Sequence, residues 1–219
     1  MSTLKTTNIK HGSSSSNNIV LNSNGSVNIP NLTTPKAAGE TIETVAGICD
    51  GRTISVGSGN YTLGNVTTSQ GLTTTHTEIT GSSIAYTPPS GAKQLMYKFV
   101  CQFTPATNSG ISNFKIQVDE TDIDPSRITK AGEHVSHRHH HSQLHMVWIF
   151  DLTETSDDIA NGKIAGSGWT SNKTIRVTGR EHDGSTYHSI VHANTWWDGT
   201  NASGANALIK PHLYIQAIA

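Results

Sequence analysis

The sequence predicts an all-β protein, with a jelly-roll β-sandwich over residues 52–219 as its largest part. Short runs such as 53–56 and 83–86 alternate apolar and polar residues with the two-residue period of a half-buried strand. The chain contains 20 glycines and only 14% charged residues, a composition typical of many short strands joined by tight polar turns. About eight strands separated by turn signals favour a sandwich of the jelly-roll type.

Residues 1–35 are predicted to form an extended β arm. Two strand-like runs, 19–22 and 26–29, flank Asn24-Gly25, a dipeptide that favours a hairpin turn because both residues tolerate positive φ. The segment has too few apolar residues to offset the entropy that a chain loses when it becomes ordered. The arm is therefore expected to pair with another chain or to lie on a partner's surface; the alternative is a flexible tail.

Residues 36–51 carry the one helical pattern of the chain and are predicted to form a short helical neck. Apolar residues recur there at i, i+3, i+4 and i+7, the spacing of one helix face: Ile42, Val45, Ala46 and Cys49. Gly51 would end the helix. A stripe this narrow is marginal for an isolated helix, whereas three copies packed about an axis would bury it. The pattern therefore predicts a homotrimer; the alternative is a docked surface helix.

From residue 52 onward the sequence predicts strands throughout. The strongest runs are bounded by turn signals: 94–103, 113–118, 144–152, 173–178, 187–192 and 208–219. The last of these runs is expected to be central and buried. The hydrophobic fraction of 34% is low for a monomer, so we expect the chain to complete its core against copies of itself.

Charge and hydropathy exclude several classes of partner. The formal net charge is −1 and the pI about 6.9, which predicts no general attraction to nucleic acid or to an anionic membrane. No apolar run approaches the roughly 18 residues of a membrane span, and no signal-peptide core follows Lys5. The protein is therefore expected to be made in the cytoplasm and not to insert into a membrane. Cys49 and Cys101 are expected to be buried apolar residues.

The most distinctive cluster of side chains lies in the histidine-rich segment 134–145. His137, His139 and His141 alternate, so in a strand all three would point to one face. Neutral imidazole is a common ligand of transition metals, and the same pattern on three chains around an axis would surround one ion with nitrogens. These three residues are the candidate metal site. The alternatives are an exposed polar segment and a pH-sensitive contact between copies.

A second candidate site combines aromatic and polar residues. Trp196, Trp197 and Asp198 form a mixture of the kind that stacks on sugar rings and hydrogen-bonds their hydroxyls. Two adjacent residues of a strand face opposite sides, so at most one of the two indoles is expected to be exposed. These three residues are the candidate ligand-binding site, and the alternative is packing in the core or in an interface.

No catalytic residue is predicted. His188 with Ser185 or Ser189 could be imagined as a base and nucleophile, but no Gly-x-Ser-x-Gly elbow is present and Asp183-Gly184 is a turn signal. A glycoside hydrolase would need two carboxylates across a groove, whereas the acidic residues of 119–124 are clustered in one loop. The chain is therefore expected not to be an enzyme and to need no cofactor.

Several segments carry a resemblance that extends over nearly the whole chain. They are LKTTNI (4–9), IVLNSNGSVNIP (19–30), CDGR (49–52), GNYT (59–62), ITGSSIAYTPP (79–89), WTSNK (169–173), WDGT (197–200) and IQAIA (215–219). Together they resemble a family of virion structural proteins, labelled as fibre or structural proteins, from tailed phages of marine bacteria and from algal viruses. The segment around His137 lies outside these blocks.

The resemblance implies a trimeric fibre or capsid-decorating protein displayed on the surface of the virion. Residues 1–35 would attach it to other capsid or tail proteins, and its partners would be copies of itself. The alternative within the same class is a receptor-binding fibre tip that recognises a host surface glycan. The family offers no catalytic motif, and none is carried over to this chain.

Overall fold

The computed structural model divides the chain into two compact units, Met1–Lys36 and Ala37–Ala219. The described residues are 8–9, 12, 19–28, 36–105, 110–132, 134–135, 138–139, 141–184, 186–194, 196–197, 200–201 and 208–219. Residues 28, 134–135, 138–139, 196–197 and 200–201 are described in their backbone alone. In the described part of the chain, no helix is long and apolar enough to cross a membrane.

In the N-terminal unit, the described residues form three short antiparallel strands, β1 (Asn8–Ile9), β2 (Ile19–Leu21) and β3 (Val27–Asn28), in the order β1-β2-β3. The turn between β2 and β3 contains Gly25 at φ 83°, which glycine adopts without strain. None of the described side chains of this unit is buried, and the apolar Ile9, Leu21 and Val27 are 45%, 38% and 57% exposed. These residues therefore form no core of their own.

The described residues of the C-terminal unit form seventeen further strands and one turn of 3-10 helix. They are β4 (Thr41–Ile48), β5 (Thr53–Val56), β6 (Gly59–Thr62), β7 (Gln70–Gly71), β8 (Thr77–Glu78), β9 (Ile84–Tyr86), β10 (Gln94–Pro105), β11 (Ser112–Val118), β12 (Thr121–Lys130), β13 (His134–Val135), β14 (Arg138–His139), β15 (Ser142–Asp151), the 3-10 turn Ile159–Asn161, β16 (Lys173–Glu181), β17 (Ser189–Val191), β18 (Trp196–Trp197), β19 (Thr200–Asn201) and β20 (His212–Ile218).

Eight of these strands build two antiparallel sheets. In chain order they are β4, β9, β10, β11, β12, β15, β16 and β20. In one sheet these strands lie in the order β4-β20-β10-β15, which are the first, eighth, third and sixth of the eight. In the other sheet the order is β9-β16-β11-β12, which are the second, seventh, fourth and fifth. This alternation between two sheets is the strand order of a jelly roll. β17 and β7 extend the first sheet, and β8 pairs with β16 in the second.

The core lies between the two sheets. Along β10 the buried side chains Tyr97, Phe99 and Phe103 alternate with partly exposed ones. They meet the second sheet directly, since the rings of Phe103 and Phe114 are 6.0 Å apart and nearly perpendicular. The hydroxyl of Tyr97 donates a 2.7 Å hydrogen bond to the carbonyl of Ser82. The predicted all-β class and the β-sandwich are therefore confirmed.

The C-terminal strand occupies the position that the sequence predicts. β20 lies between β4 and β10, and its residues Leu213, Ile215 and Ala217 are fully buried. Their outward neighbours are more exposed, as the two-residue period of the run predicts. The strand is central because both of its edges are paired over most of its length.

The prediction of a helical neck over residues 36–51 is wrong. Residues 41–48 form β4, which pairs antiparallel with β20 from Thr41 to Ile48. Val45 and Cys49 are fully buried in the core, whereas Ile42 is only partly buried against it and Ala46, next to Val45, lies on the opposite face. The four residues therefore do not share the single face that the helical spacing implies. β-branched residues are frequent here and favour strands, and β20 offers a complete partner edge. No described residue belongs to an α-helix.

Candidate functional site

Both clusters predicted from the sequence are placed by the topology near the C-terminal end of β10. Phe103 of β10 pairs with Ser142 at the start of β15 and with Val191 at the end of β17. The hairpin β13–β14 ends three residues before β15, and the hairpin β18–β19 begins five residues after β17. A histidine-rich hairpin and a tryptophan hairpin therefore leave the sandwich from the same end of one sheet.

Of the three histidines predicted as metal ligands, the side chain of His141 alone is described. Its Nδ1 lies 2.9 Å from Oγ1 of Thr104, which donates its own hydrogen to the carbonyl of Ala193 at 2.6 Å. Nδ1 therefore carries the proton of the first bond. His137 lies outside the described residues, and the backbone of His139 pairs with that of His134.

His139 and His141 do not lie on one strand, because β14 ends at His139 and β15 begins at Ser142. No group of three or more His, Cys, Asp or Glu side chains suited to a metal ion occurs among the described residues. The metal site at His137, His139 and His141 stays a prediction.

The tryptophan site is described in its backbone. Trp196 and Trp197 form β18 and pair with Asn201 and Thr200 of β19, while Asp198 lies outside the described residues. The hairpin is anchored to the sandwich by the bridge between Ala193 and Leu208. Sugar binding by these residues stays a prediction.

Between the anchors of these two hairpins, the outer face of the first sheet forms a groove of about 250 Å³. Its floor is the outward face of β10, with Lys98, Val100 and Gln102. One wall comes from Gln143 and His145 of β15. The other comes from β20 and the residues before it: Ile209, Lys210, His212 and Tyr214.

Strand register sets the groove's side chains beside one another. Val100 is directly opposite His145 on one side and His212 on the other, Gln102 is opposite Gln143, and Lys98 is opposite Tyr214. Side chains opposite one another in an antiparallel pair have Cβ atoms about 4.5–5.5 Å apart. Nζ of Lys98 lies 5.6 Å from the centre of the Tyr214 ring, within range of a cation–π interaction.

Among the described residues that line the groove, several carry nitrogen donors and none carries a carboxylate. Two lysines, two histidines and two glutamines line it. The neighbouring carboxylate of Asp50 interacts electrostatically with Lys210, but it accepts hydrogen bonds from Arg52 at 2.8 Å (Nε) and 2.6 Å (Nη2). These bonds from Arg52 lower the pKa of Asp50 to about 2. The arrangement therefore favours an anion over a cation.

Comparison with known proteins adds little to this geometry. No protein-family model matches the chain, and no curated protein matches it. Among solved structures, one titled "Structure of infectious bursal disease virus Gx strain" is similar to 82% of this chain and 37% of that chain, at 10% sequence identity and a TM-score of 0.32. The chain thus spans little more than a third of that protein's length. A likeness of this size does not indicate a function for this chain.

A buried polar cluster lies near the same end of the sandwich. The Glu181 carboxylate accepts hydrogen bonds from Nδ1 of His188 at 2.7 Å and from the backbone N–H of Ser189 at 3.1 Å. The Ser189 hydroxyl donates to the carbonyl of Gly110 and accepts from the hydroxyl of Ser112, both at 2.8 Å. Ser189 is fully buried and its hydroxyl is hydrogen-bonded away from His188. The cluster ties β16 and β17 to the start of β11 and presents no accessible nucleophile.

His192 is the buried residue that links the groove to the core. Its backbone N–H donates to the carbonyl of Gln102, and its carbonyl accepts from the N–H of Ile209, both at 2.9 Å. Its imidazole is fully buried and lies edge-on to Phe99, with ring centres 6.4 Å apart. Burial lowers the pKa of this imidazole to about 4, so it is neutral near pH 7.

Sequence reasoning missed the groove and the Glu181–His188 pair. The signal for the groove is present in two predicted strands, where Lys98, Gln102, His212 and Tyr214 occupy the polar positions of alternating runs. Alternation shows that these side chains point outward, but it does not show which strand lies beside which. The register between β10, β15 and β20 is what brings them together.

Proposed function

We propose that this protein is a non-enzymatic structural protein of a virus particle, a trimeric fibre or capsid-decorating protein displayed on the particle surface. The division of the chain into two unlike units carries the proposal. The sandwich buries a large core, whereas the described side chains of the arm are all at least partly exposed, including Ile9, Leu21 and Val27. An exposed arm with apolar side chains needs a partner surface.

The arm attaches the protein by pairing its strands with the sheets of neighbouring capsid or tail proteins. In strand addition, backbone hydrogen bonds along the edge of a sheet supply affinity, and alternate side chains supply specificity. Residues 1–36 contain Lys5, Lys10 and Lys36 but no Asp or Glu. The surface that receives the arm is therefore expected to be acidic or neutral, since a basic one would repel it.

Association of three copies is proposed through the half of β15 that lies away from the groove. Val147 and Ile149 point outward there, and Ile149 is 52% exposed. Met96 is opposite Ile149 on β10 and adds to this apolar surface. Adjacent exposed apolar residues on an edge strand are a common feature of contacts between subunits.

The attachment is tested with purified particles of the virus that encodes this chain. Full-length protein and a version starting at Ala37 are added separately to particles that lack the protein, and bound protein is measured after sedimentation. Full-length protein should co-sediment in a saturable amount, and the shortened version should remain in the supernatant. Equal co-sedimentation of both versions would rule out attachment through the arm.

The groove favours a second function, a receptor-binding tip that recognises a host surface glycan. A concave site with several nitrogen donors and an aromatic ring is suited to a small polar ligand. The number of copies per particle, and the effect of antibodies on adsorption to the host, distinguish the two functions. A decorating protein should be present in many copies and be dispensable for adsorption, whereas antibodies against a receptor-binding tip should block adsorption.

A further inference from the structure

The geometry of the groove points to a ligand class, and we infer that the groove between β10, β15 and β20 binds a sugar that carries a carboxylate. This inference rests on the second function proposed above, attachment through a host glycan. It concerns Lys98, Gln102, Gln143, Lys210 and Tyr214, none of which belongs to the tryptophan hairpin predicted from the sequence as a sugar site.

The charge of the lining selects an anion. Lys98 lies on β10 and Lys210 lies just before β20, and none of the lining residues that the structure describes carries a carboxylate. Arg52 already holds the neighbouring Asp50 through two hydrogen bonds, at 2.6 and 2.8 Å, so the charge of Lys210 is not fully neutralised by it. A carboxylate on the ligand would give these lysines charge-assisted hydrogen bonds, which are stronger than neutral ones.

The amide groups of the lining select hydroxyls. Gln102 and Gln143 are directly opposite one another on β10 and β15. Oε1 of Gln143 lies 2.9 Å from Nε2 of His145, an assignment that makes the imidazole the donor and the amide oxygen the acceptor. The N–H groups of the Gln143 amide then remain to donate to a ligand. Two neighbouring amides can hydrogen-bond two adjacent hydroxyls, which is the pattern a sugar ring presents.

The apolar part of the groove fits the C–H face of the same ring. Tyr214 stands beside Lys98 across the β10–β20 pair, and Val100 and Ile209 complete an apolar patch in the groove. Aromatic rings provide large, rigid contact area with a polar edge. The volume of about 250 Å³ is below the range of about 300–1,000 Å³ typical of drug-sized ligands, so the groove fits one sugar residue.

The test is a calorimetric titration of the full-length protein with three small probes at pH 7. Methyl glucuronide and the methyl glycoside of N-acetylneuraminic acid carry a carboxylate on different sugar frames, and methyl glucoside lacks it. We expect saturable binding of at least one acidic sugar, with a dissociation constant on the order of 1 mM. Methyl glucoside should bind about tenfold more weakly or not measurably, because it leaves the lysines without a charged partner.

Variants of the lysines identify the site. Lys98→Gln and Lys210→Gln should each weaken binding of the acidic sugar about tenfold. Lys93→Gln is the matched control, because Lys93 is an exposed lysine just before β10 at the end away from the groove. It should leave the affinity unchanged. Thermal unfolding of all three variants should match the parent protein, which shows that any loss of binding is local.

Several results would overturn the inference. They are equal affinity for methyl glucoside and methyl glucuronide, the absence of saturable binding by either acidic sugar, and an equal loss in Lys93→Gln. Sodium acetate that binds as tightly as the acidic sugar would show a site for a carboxylate alone, which also contradicts it. Because the titration uses isolated protein, its failure would leave attachment through the arm standing, and failure of co-sedimentation would not affect the titration.

Discussion

At the scale of single residues, the buried imidazole of His192 has a definite consequence for stability against pH. Its pKa is lowered from an ordinary value of 6.5 to about 4 by burial, so the unfolded chain binds this proton more tightly than the folded chain does. The resulting stability is complete above pH 6.5 and is lost as the pH falls toward 4. The loss from this residue is about 3 kcal/mol.

Replacement of His192 should therefore reduce the loss of unfolding free energy that accompanies a fall in pH from 7 to 4.5. Asn tolerates positive φ, and His192 has φ 65°, so His192→Asn removes the titrating group with little backbone strain. Urea unfolding at pH 7 and pH 4.5 should show a smaller difference in unfolding free energy for this variant than for the parent. His212→Asn, a change at an exposed histidine, should keep the parental difference. An unchanged pH dependence in His192→Asn would refute the assignment.

Gly162 is a second residue whose role can be tested directly. It follows the 3-10 turn at φ 72°, and a Cβ built on it would lie 2.6 Å from Cε2 of Trp148. Gly162→Ala should cost about 2–4 kcal/mol of unfolding free energy, because backbone strain and steric overlap add. Gly91 has φ 90° with open space around it, so Gly91→Ala should show the strain alone, about 1 kcal/mol. Equal losses in urea unfolding would show that contact with Trp148 is unimportant.

At the scale of elements, β4 is held to the hairpin β5–β6 and to β9 by one carboxylate. Glu43 of β4 accepts a 2.6 Å hydrogen bond from the Tyr86 hydroxyl and a 3.1 Å bond from the backbone N–H of Ser58, and the Ser58 hydroxyl also donates to it. Tyr86 is fully buried. Burial, followed by the bond to Glu43, raises the pKa of the Tyr86 hydroxyl well above its usual range, so this group is a donor at every relevant pH.

A double-mutant cycle measures this connection. Glu43→Ala should lower the unfolding free energy by about 2 kcal/mol, because it leaves the buried hydroxyl of Tyr86 without its acceptor. In a Tyr86→Phe background the same change should cost distinctly less, since no hydroxyl remains to be satisfied. Urea unfolding of the four proteins gives the coupling. Additive losses would show that the two side chains do not depend on each other.

The same strand shows what sequence patterns can and cannot predict. β20 and β10 were predictable because strict alternation over many residues has no helical equivalent. In β4 the apolar positions Ile42, Val45, Ala46 and Cys49 fit a helix face equally well, and only the partner edge of β20 decides between helix and strand. Tertiary pairing therefore overrode local spacing, and no single-sequence pattern contains that information.

The candidate site was less predictable than the fold for the same reason. Lys98 and Lys210 are far apart in the chain, and they approach the groove only because β20 pairs with β10 in one particular register. The two clusters predicted from the sequence, His137–His141 and Trp196–Asp198, each consist of residues that are close together along the chain. Local composition detects such clusters, whereas it cannot detect a site assembled from three strands.

At the scale of the whole molecule, the solution mass tests the proposed association of copies. The chain has a mass of 23.4 kDa, and light scattering should give three times this value across a range of concentrations. Val147→Glu, on the apolar half of β15, should shift the mass toward that of one chain, because it places a charge in the proposed contact. Thr129→Glu on the other sheet is the control. A monomer at every concentration would exclude the trimer.

The two ends of the chain should respond to removal in opposite ways. β20 pairs with both β4 and β10 and buries Leu213, Ile215 and Ala217, so a chain ending at Pro211 loses the strand that joins two parts of the first sheet. That version should not unfold cooperatively on heating. Removal of residues 1–36 takes away a separate unit with no buried described side chain, so the melting temperature should change by no more than about 2 °C. A large loss of stability in the shortened protein would show that the arm belongs to the core of the sandwich, and the proposal that it attaches the protein to a particle would fail with it.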